Sequence, residues 1–205
     1  MNYSYKQIWL INFPVMMSIL MEQLINITDA IFLGHVGEVE LGASAIAGIY
    51  YLAVYMLGFG FCIGLQVIIA RRNGEQKYEE TGIVFFQGLF FLSVLAVSLC
   101  LLIHVVSPFI LKRLITSSEI YQAVILYLDW RSFGLLFSFP FLAIRSFFVG
   151  ITHTKALSWS AIVAVIINIP LNYFLIFILD LGISGAAIAS LLAEMGSLMV
   201  IGIYM

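Results

Sequence analysis

Three carboxylates stand inside long apolar runs of this sequence: Glu22, Asp29 and Glu194. Charge is costly in an apolar environment, so each is a candidate for binding or proton transfer. Asn168, Asn172 and Ser190 lie in similar runs and offer neutral oxygens. Glu22 and Asp29 are seven residues apart, Asn168 and Asn172 four, and Ser190 and Glu194 four, so each pair shares one face of a helix. Carboxylate, amide and hydroxyl oxygens are hard ligands. One carboxylate among neutral oxygens balances a single Na⁺ or proton without leaving excess charge buried. The alternative for the two asparagines and Ser190 is a packing role, through hydrogen bonds between helices. Asp29 has a second reading as a solvated residue near a helix end. Glu22 and Glu194 have one as groups facing a water-filled cavity with no coupling role.

The elements that must position these residues follow from composition. Of 205 residues, 63% are hydrophobic and 10% charged, too little polar surface for a soluble domain. The apolar residues fall in blocks of about 20 or more, enough for helices that cross a hydrocarbon core of ~30 Å. Barrel strands would be short and alternating. The fold class is therefore all-α, a polytopic transmembrane helical bundle. Six spans are expected, at residues 8–33, 41–70, 82–105, 123–148, 156–179 and 182–205. Pro14, Pro140 and Pro170 are expected to bend or break their spans, and carbonyls freed at a bend can line a cavity. With these ends, Asp29, Asn172 and Ser190 lie roughly 6–12 Å inside the bilayer and Asn168 slightly deeper. Glu22 and Glu194 lie roughly 17–18 Å in, near the midplane. The third span carries Phe85, Phe86, Phe90 and Phe91, all read as lipid-facing.

Lys6, Arg71, Arg72, Lys77, Arg145 and Lys155 fall on one side of an up-down bundle. Lys112 and Arg113 fall on the other, with Arg131 at the outer end of span four. The excess of positive charge places the N-terminus in the cytoplasm. The first apolar run contains Glu22 and Asp29, unlike the short uncharged core of a cleavable signal. The final span ends without a flanking charge, and residues 1–205 are expected to be a single truncated six-helix lobe. Cys62 and Cys100 stand alone in apolar runs and read as packing residues. His35, His104 and His153 are too far apart for a metal site, no basic stretch suits nucleic acid, and no nucleophile–base pair marks an enzyme.

Several stretches, taken together, resemble the multidrug and toxic compound extrusion (MATE) transporters. They are Pro14 followed by Asp29-Ala-Ile-Phe-Leu-Gly34, Leu41-Gly-Ala-Ser-Ala, and Gln66-Val-Ile-Ile-Ala-Arg-Arg-Asn-Gly-Glu75. They continue in Asn168-Ile-Pro-Leu-Asn172-Tyr and Gly182-Ile-Ser-Gly-Ala-Ala-Ile-Ala-Ser190. The resemblance implies one lobe of a twelve-helix transporter of the cytoplasmic (inner) membrane, with a drug cavity between two lobes. It implies a cation site at Asp29, Asn168, Asn172 and Ser190. It further implies cation-coupled antiport of amphipathic organic cations, with Na⁺ or H⁺ as coupling ion and no other cofactor. The expected partners are the lipid bilayer, the substrate and a second six-helix lobe. Asn172 stands where some members carry aspartate, and Ser190 where others carry threonine. The asparagine form resembles the Na⁺-coupled branch. Glu22 and Glu194 are candidates for the cavity wall or a proton path. Two alternatives stay open: a lipid-linked oligosaccharide flippase, whose groove should be more basic than these acidic candidates, and a non-transporting structural or regulatory subunit.

Overall fold

The computed structural model describes residues 5–205. All regular structure among them is helical: α1 (Tyr5–Val36), α2 (Glu38–Gly74), α3 (Tyr78–Leu114), α4 (Ser118–Arg131), α5 (Leu135–Gly150), α6 (Lys155–Tyr173) and α7 (Gly182–Ile203). One 3₁₀ turn, Ser132–Gly134, joins α4 to α5, and one π-helical stretch, Phe174–Ile178, extends α6. Read through these joints, the described residues form six helices long and apolar enough to cross a membrane. The links between spans are at most a few residues, which forces neighbours to run antiparallel.

The helices outrun the expected spans. The third reaches Leu114 rather than ending near residue 105, because Pro108 is accommodated inside it. Tyr121 donates to the Pro108 carbonyl (3.3 Å), and Ser107 donates to Tyr50 (3.0 Å), so the polar residues there tie helices together instead of forming a loop. The fourth span begins at Ser118, not residue 123: Ser117 caps it, its hydroxyl accepting from the Ile120 amide at 3.4 Å. The helix likewise continues through Pro14, Pro140 and Pro170; none of them breaks its span.

In α2 the buried residues Ala43, Ala47, Tyr51, Gly58, Cys62, Leu65 and Ile69 recur at helical spacing, and α2 packs on α3, α4 and α5. Two glycines bring these helices close. A Cβ on Gly58 would stand 2.6 Å from the Phe139 ring, and one on Gly88 2.6 Å from Leu65. Lipid offers no hydrophobic drive between helices, so such close contact is what holds them. Phe85 belongs to this core: it is 1% exposed and packs on Phe147 with centroids 5.0 Å apart. Of the four phenylalanines expected to face lipid, only Phe86, Phe90 and Phe91 are exposed.

α1 is bound differently. Among its described side chains only Pro14, Ser18 and Leu33 are buried. It is fastened to α6 by hydrogen bonds from Thr154 to the Ile11 carbonyl (2.9 Å) and from Ser158 to the Pro14 carbonyl (3.1 Å). Between α2 and α3, Glu75 accepts from Arg71 (3.0 Å) and pairs with Arg72 and Lys77. The Arg71 and then the Lys77 hydrogen bonds hold its carboxyl below the usual carboxylate range.

The tightest joint near the polar residues is between α7 and the π-helical stretch. A Cβ on Gly185 would stand 2.9 Å from the carbonyl carbon of Leu175 and 3.0 Å from its oxygen, both backbone atoms. Gly185→Ala is therefore expected to destabilise the bundle by about 1–3 kcal/mol. Gly202→Ala, with nothing within 4 Å of the new Cβ, should be neutral or slightly stabilising. Thermal melting in detergent separates the two, and equal melting curves would contradict the close α7 contact.

Candidate functional site

Asp29 lies two turns before the end of α1, and both its carboxylate oxygens are engaged from across the bundle. Asn172 of α6 donates its Nδ2 to Asp29 Oδ1. Ser190 of α7 donates its hydroxyl to Asp29 Oδ2 at 3.0 Å. Asn172 Nδ2 also donates to Asn168 Oδ1 (2.9 Å), and Asn168 Nδ2 donates to Ser190 Oγ (3.4 Å). Asn168 and Asn172 are fully buried and Ser190 is 6% exposed. The four residues singled out from sequence thus form one closed ring of hydrogen bonds across three helices. Asp29 is a partner in that ring, not a solvated helix end.

Local structure explains how the ring is held. Pro170 sits between the two asparagines and contributes no N–H to the helix. The chain then widens into the π-helical stretch, where the Leu179 amide reaches back to the Phe174 carbonyl (3.0 Å). Single π turns of this kind recur at functional sites. The stretch presses Phe177 edge-on against Phe32 of α1, centroids 5.8 Å apart, one turn from Asp29.

One acceptor in the ring is unused: Asn172 Oδ1 is buried without a hydrogen-bond partner. Rotating that amide would exchange the Nδ2 now facing Asp29 for this oxygen. The ring would then turn from one that solvates a bare carboxylate with N–H groups into one that offers carboxylate, amide and hydroxyl oxygens to a hard monovalent cation. Protonation of Asp29 would neutralise the same charge.

Glu22 and Glu194 lie outside the ring, and each has an arginine partner. Glu194, one turn after Ser190, binds Arg131 at 2.7 Å. Glu22 stands 3.9 Å from Arg145, a looser pair, and its side chain is 48% exposed. The expectation that places Arg131 at the outer end of the fourth span is corrected: it lies well inside that span. Arg131 ends α4, thirteen residues into the fourth span, roughly 20 Å along the helix. Arg145 lies five residues before the end of α5. The acidic wall read from Glu22 and Glu194 is thereby charge-balanced. Between the two pairs runs a ladder on α2, Tyr51, Tyr55 and Phe59, with successive centroids 6.3 and 6.5 Å apart. Arg131 stacks over the Tyr51 ring at 4.2 Å. A cavity of about 470 Å³ at the other end of α1, lined by Ile11, Asn12 and Asn73 among others, includes none of these residues.

The fold and the site together define a multi-pass helical membrane protein whose buried polar groups converge on one carboxylate. The MatE family profile matches residues 14–174. A probable multidrug resistance protein NorM of Geobacillus kaustophilus is 24% identical over 176 residues, covering 86% of this chain and 39% of the relative. Protein DETOXIFICATION 55 of Arabidopsis thaliana is 26% identical over 194 residues, covering 94% and 38% respectively. A multidrug resistance MATE family transporter of the MOP superfamily, in an outward-facing conformation, superposes with a TM-score of 0.92 at 21% identity. That superposition covers 97% of this chain and 44% of the transporter. The chain belongs to the MatE family, and it spans less than half the length of these relatives.

Removing Asn172 tests the ring as a structural unit. Asn172→Leu leaves Asn168 Oδ1 and Asp29 Oδ1 without their donor, and buried orphaned acceptors cost about 1–3 kcal/mol. The variant is expected to melt earlier than wild type, whereas Ser190→Thr keeps the hydroxyl and should melt close to it.

Proposed function

We propose that this chain is a six-helix lobe of a cation-coupled antiporter that exports amphipathic organic cations across the cytoplasmic membrane. The observation that carries the reading is the convergence of Asn168, Asn172 and Ser190 on Asp29, with Asn172 Oδ1 left over as a further oxygen. A cation or proton taken up there neutralises Asp29 and releases its donors. α1 carries Asp29 and has the smallest buried share of the six spans, so it is the one that repacks most readily. Coupling requires the cation to bind the two packings with different affinity.

The N-terminus is assigned to the cytoplasm. Even with the paired Arg131 and Arg145 left out of the count, Lys6, Arg71, Arg72, Lys77 and Lys155 outnumber Lys112 and Arg113. Glu22 is the carboxylate best suited to meet an organic cation, because it is half-exposed and only loosely paired. Glu194 is committed to Arg131 and is not a substrate ligand in this reading. The bare face of α1 is where a second lobe would close the cavity.

A flippase for lipid-linked oligosaccharides has one observation on its side: two arginines lie within spans, where a pyrophosphate would be met. Both are paired with carboxylates, which favours the antiporter.

Saturable binding of radioactive sodium to the purified protein, weakened at least about tenfold in Asp29→Asn and at lower pH, is the expected result; tenfold corresponds to about 1.4 kcal/mol. In proteoliposomes, Glu22→Gln should reduce organic-cation transport while leaving sodium binding intact. Sodium binding that survives Asp29→Asn would sink the proposed site. A folded protein that moves no organic cation under either a sodium or a proton gradient would favour a non-transporting subunit.

A further inference from the structure

Four buried polar atoms outside the Asp29 ring lack hydrogen-bond partners: Tyr51 Oη, Arg131 Nη1, Ser138 Oγ and Glu194 Oε2. They belong to α2, α4, α5 and α7, and the Arg131–Glu194 pair stands at their centre. Gly134 gives that pair its space, since a Cβ there would collide with both Glu194 Oε2 and Arg131 Nη1. The backbone beneath is irregular too: the 3₁₀ turn Ser132–Gly134 begins right after Arg131. Mid-helix 3₁₀ turns mark hinges or strained sites. A pair held only to stabilise the bundle would be expected to have its remaining hydrogen-bonding positions filled, because a half-satisfied buried network is worse than an apolar one.

The pair is tied to the Asp29 ring by geometry. Glu194 lies one turn from Ser190, whose hydroxyl holds Asp29 Oδ2. Glu194, 2.7 Å from Arg131, thus brings that guanidinium to the turn of α7 next to the ring.

We propose that Arg131 and Glu194 are positioning residues for the coupling site, an intramembrane ion pair that sets how readily Asp29 surrenders its negative charge. The proposal rests on the reading of Asp29 as the coupling carboxylate. With Glu194 ionised, the guanidinium is neutralised locally and Asp29 is free to take a cation. Without Glu194, the full positive charge of Arg131 acts on the Asp29 carboxylate and holds it as an anion against Na⁺ and proton alike. Without Arg131, the lone Glu194 carboxylate repels Asp29 and favours its neutralisation. A merely structural role would lower affinity in both variants; an electrostatic one moves them in opposite directions.

The test is sodium binding to the purified protein across wild type, Glu194→Gln, Arg131→Gln and the double variant. Glu194→Gln should weaken binding at least tenfold, about one pK unit of differential interaction. Arg131→Gln should tighten it, and the double variant should return to within about threefold of wild type. Glu194→Asp, which withdraws the carboxylate by one methylene, should weaken binding by a smaller factor and serves if the Gln variant does not fold. If the wild type binds no sodium, the same series is read by infrared spectroscopy. The pH at which the Asp29 carboxylic-acid band appears, assigned by its absence in Asp29→Asn, should shift down in Glu194→Gln and up in Arg131→Gln. Singles that match wild type, or that both lose affinity while the double follows the worse of them, overturn the proposal alone. A wild type in which Asp29 neither binds sodium nor titrates overturns the coupling-site reading and this proposal with it.

Discussion

Inside a hydrocarbon layer no water is available to satisfy a polar group, so each one must find its partner within the protein. That constraint governs how α1 is held more than apolar packing does. Asp29 has no apolar reason to lie against α6 and α7; it does so because Asn172 and Ser190 supply the donors its two oxygens require. α1 buries few side chains and is fastened largely through polar contacts, from Asp29 at one end to the carbonyls of Ile11 and Pro14 at the other. The same requirement draws Arg131 onto Glu194 and onto the Tyr51 ring.

The ring was legible in the sequence because its members carry their own address. A carboxylate, two amides four residues apart and a hydroxyl, all in apolar runs and at similar depth, can meet only if their helices are neighbours. Arg131 is harder to read, because arginine near an expected span end looks like a flanking charge. A fourth span beginning at residue 123 puts Arg131 close to its mouth. Ser117 held the correction, since Ser-Ser-Glu before an apolar run is an N-cap signal. Starting the helix at Ser118 places Arg131 in mid-bilayer, where it needs an acid, and Glu194 was already waiting unpaired. Phe85 was misplaced by composition, since four phenylalanines in one span say nothing of which face each occupies. The π-helical stretch and the 3₁₀ turn had no sequence signal beyond nearby Pro170 and Gly134.

The arginine partners also change how the charges work together. Two uncompensated glutamates near the midplane would describe an acidic basin open to any cation. Two pairs of unequal tightness describe something more selective. Glu194 is held at 2.7 Å, whereas Glu22 stands at 3.9 Å and is half-exposed, so under the proposed function the first would act through its field and the second could exchange partners. Burial thus divides the work between two chemically identical side chains.

An element that must move is best held by bonds that its ligand can replace. Apolar contacts respond weakly to a monovalent ion, and a helix packed wholly by them would ignore its arrival. α1 is anchored at its far end by an acid whose every partner is a donor, and neutralising that acid removes the reason for each of those bonds at once. The anchors at Ile11 and Pro14, made to backbone carbonyls, carry no net charge and are indifferent to the ion. Under the proposed coupling, the helix would therefore have one end that responds to the cation and one that does not.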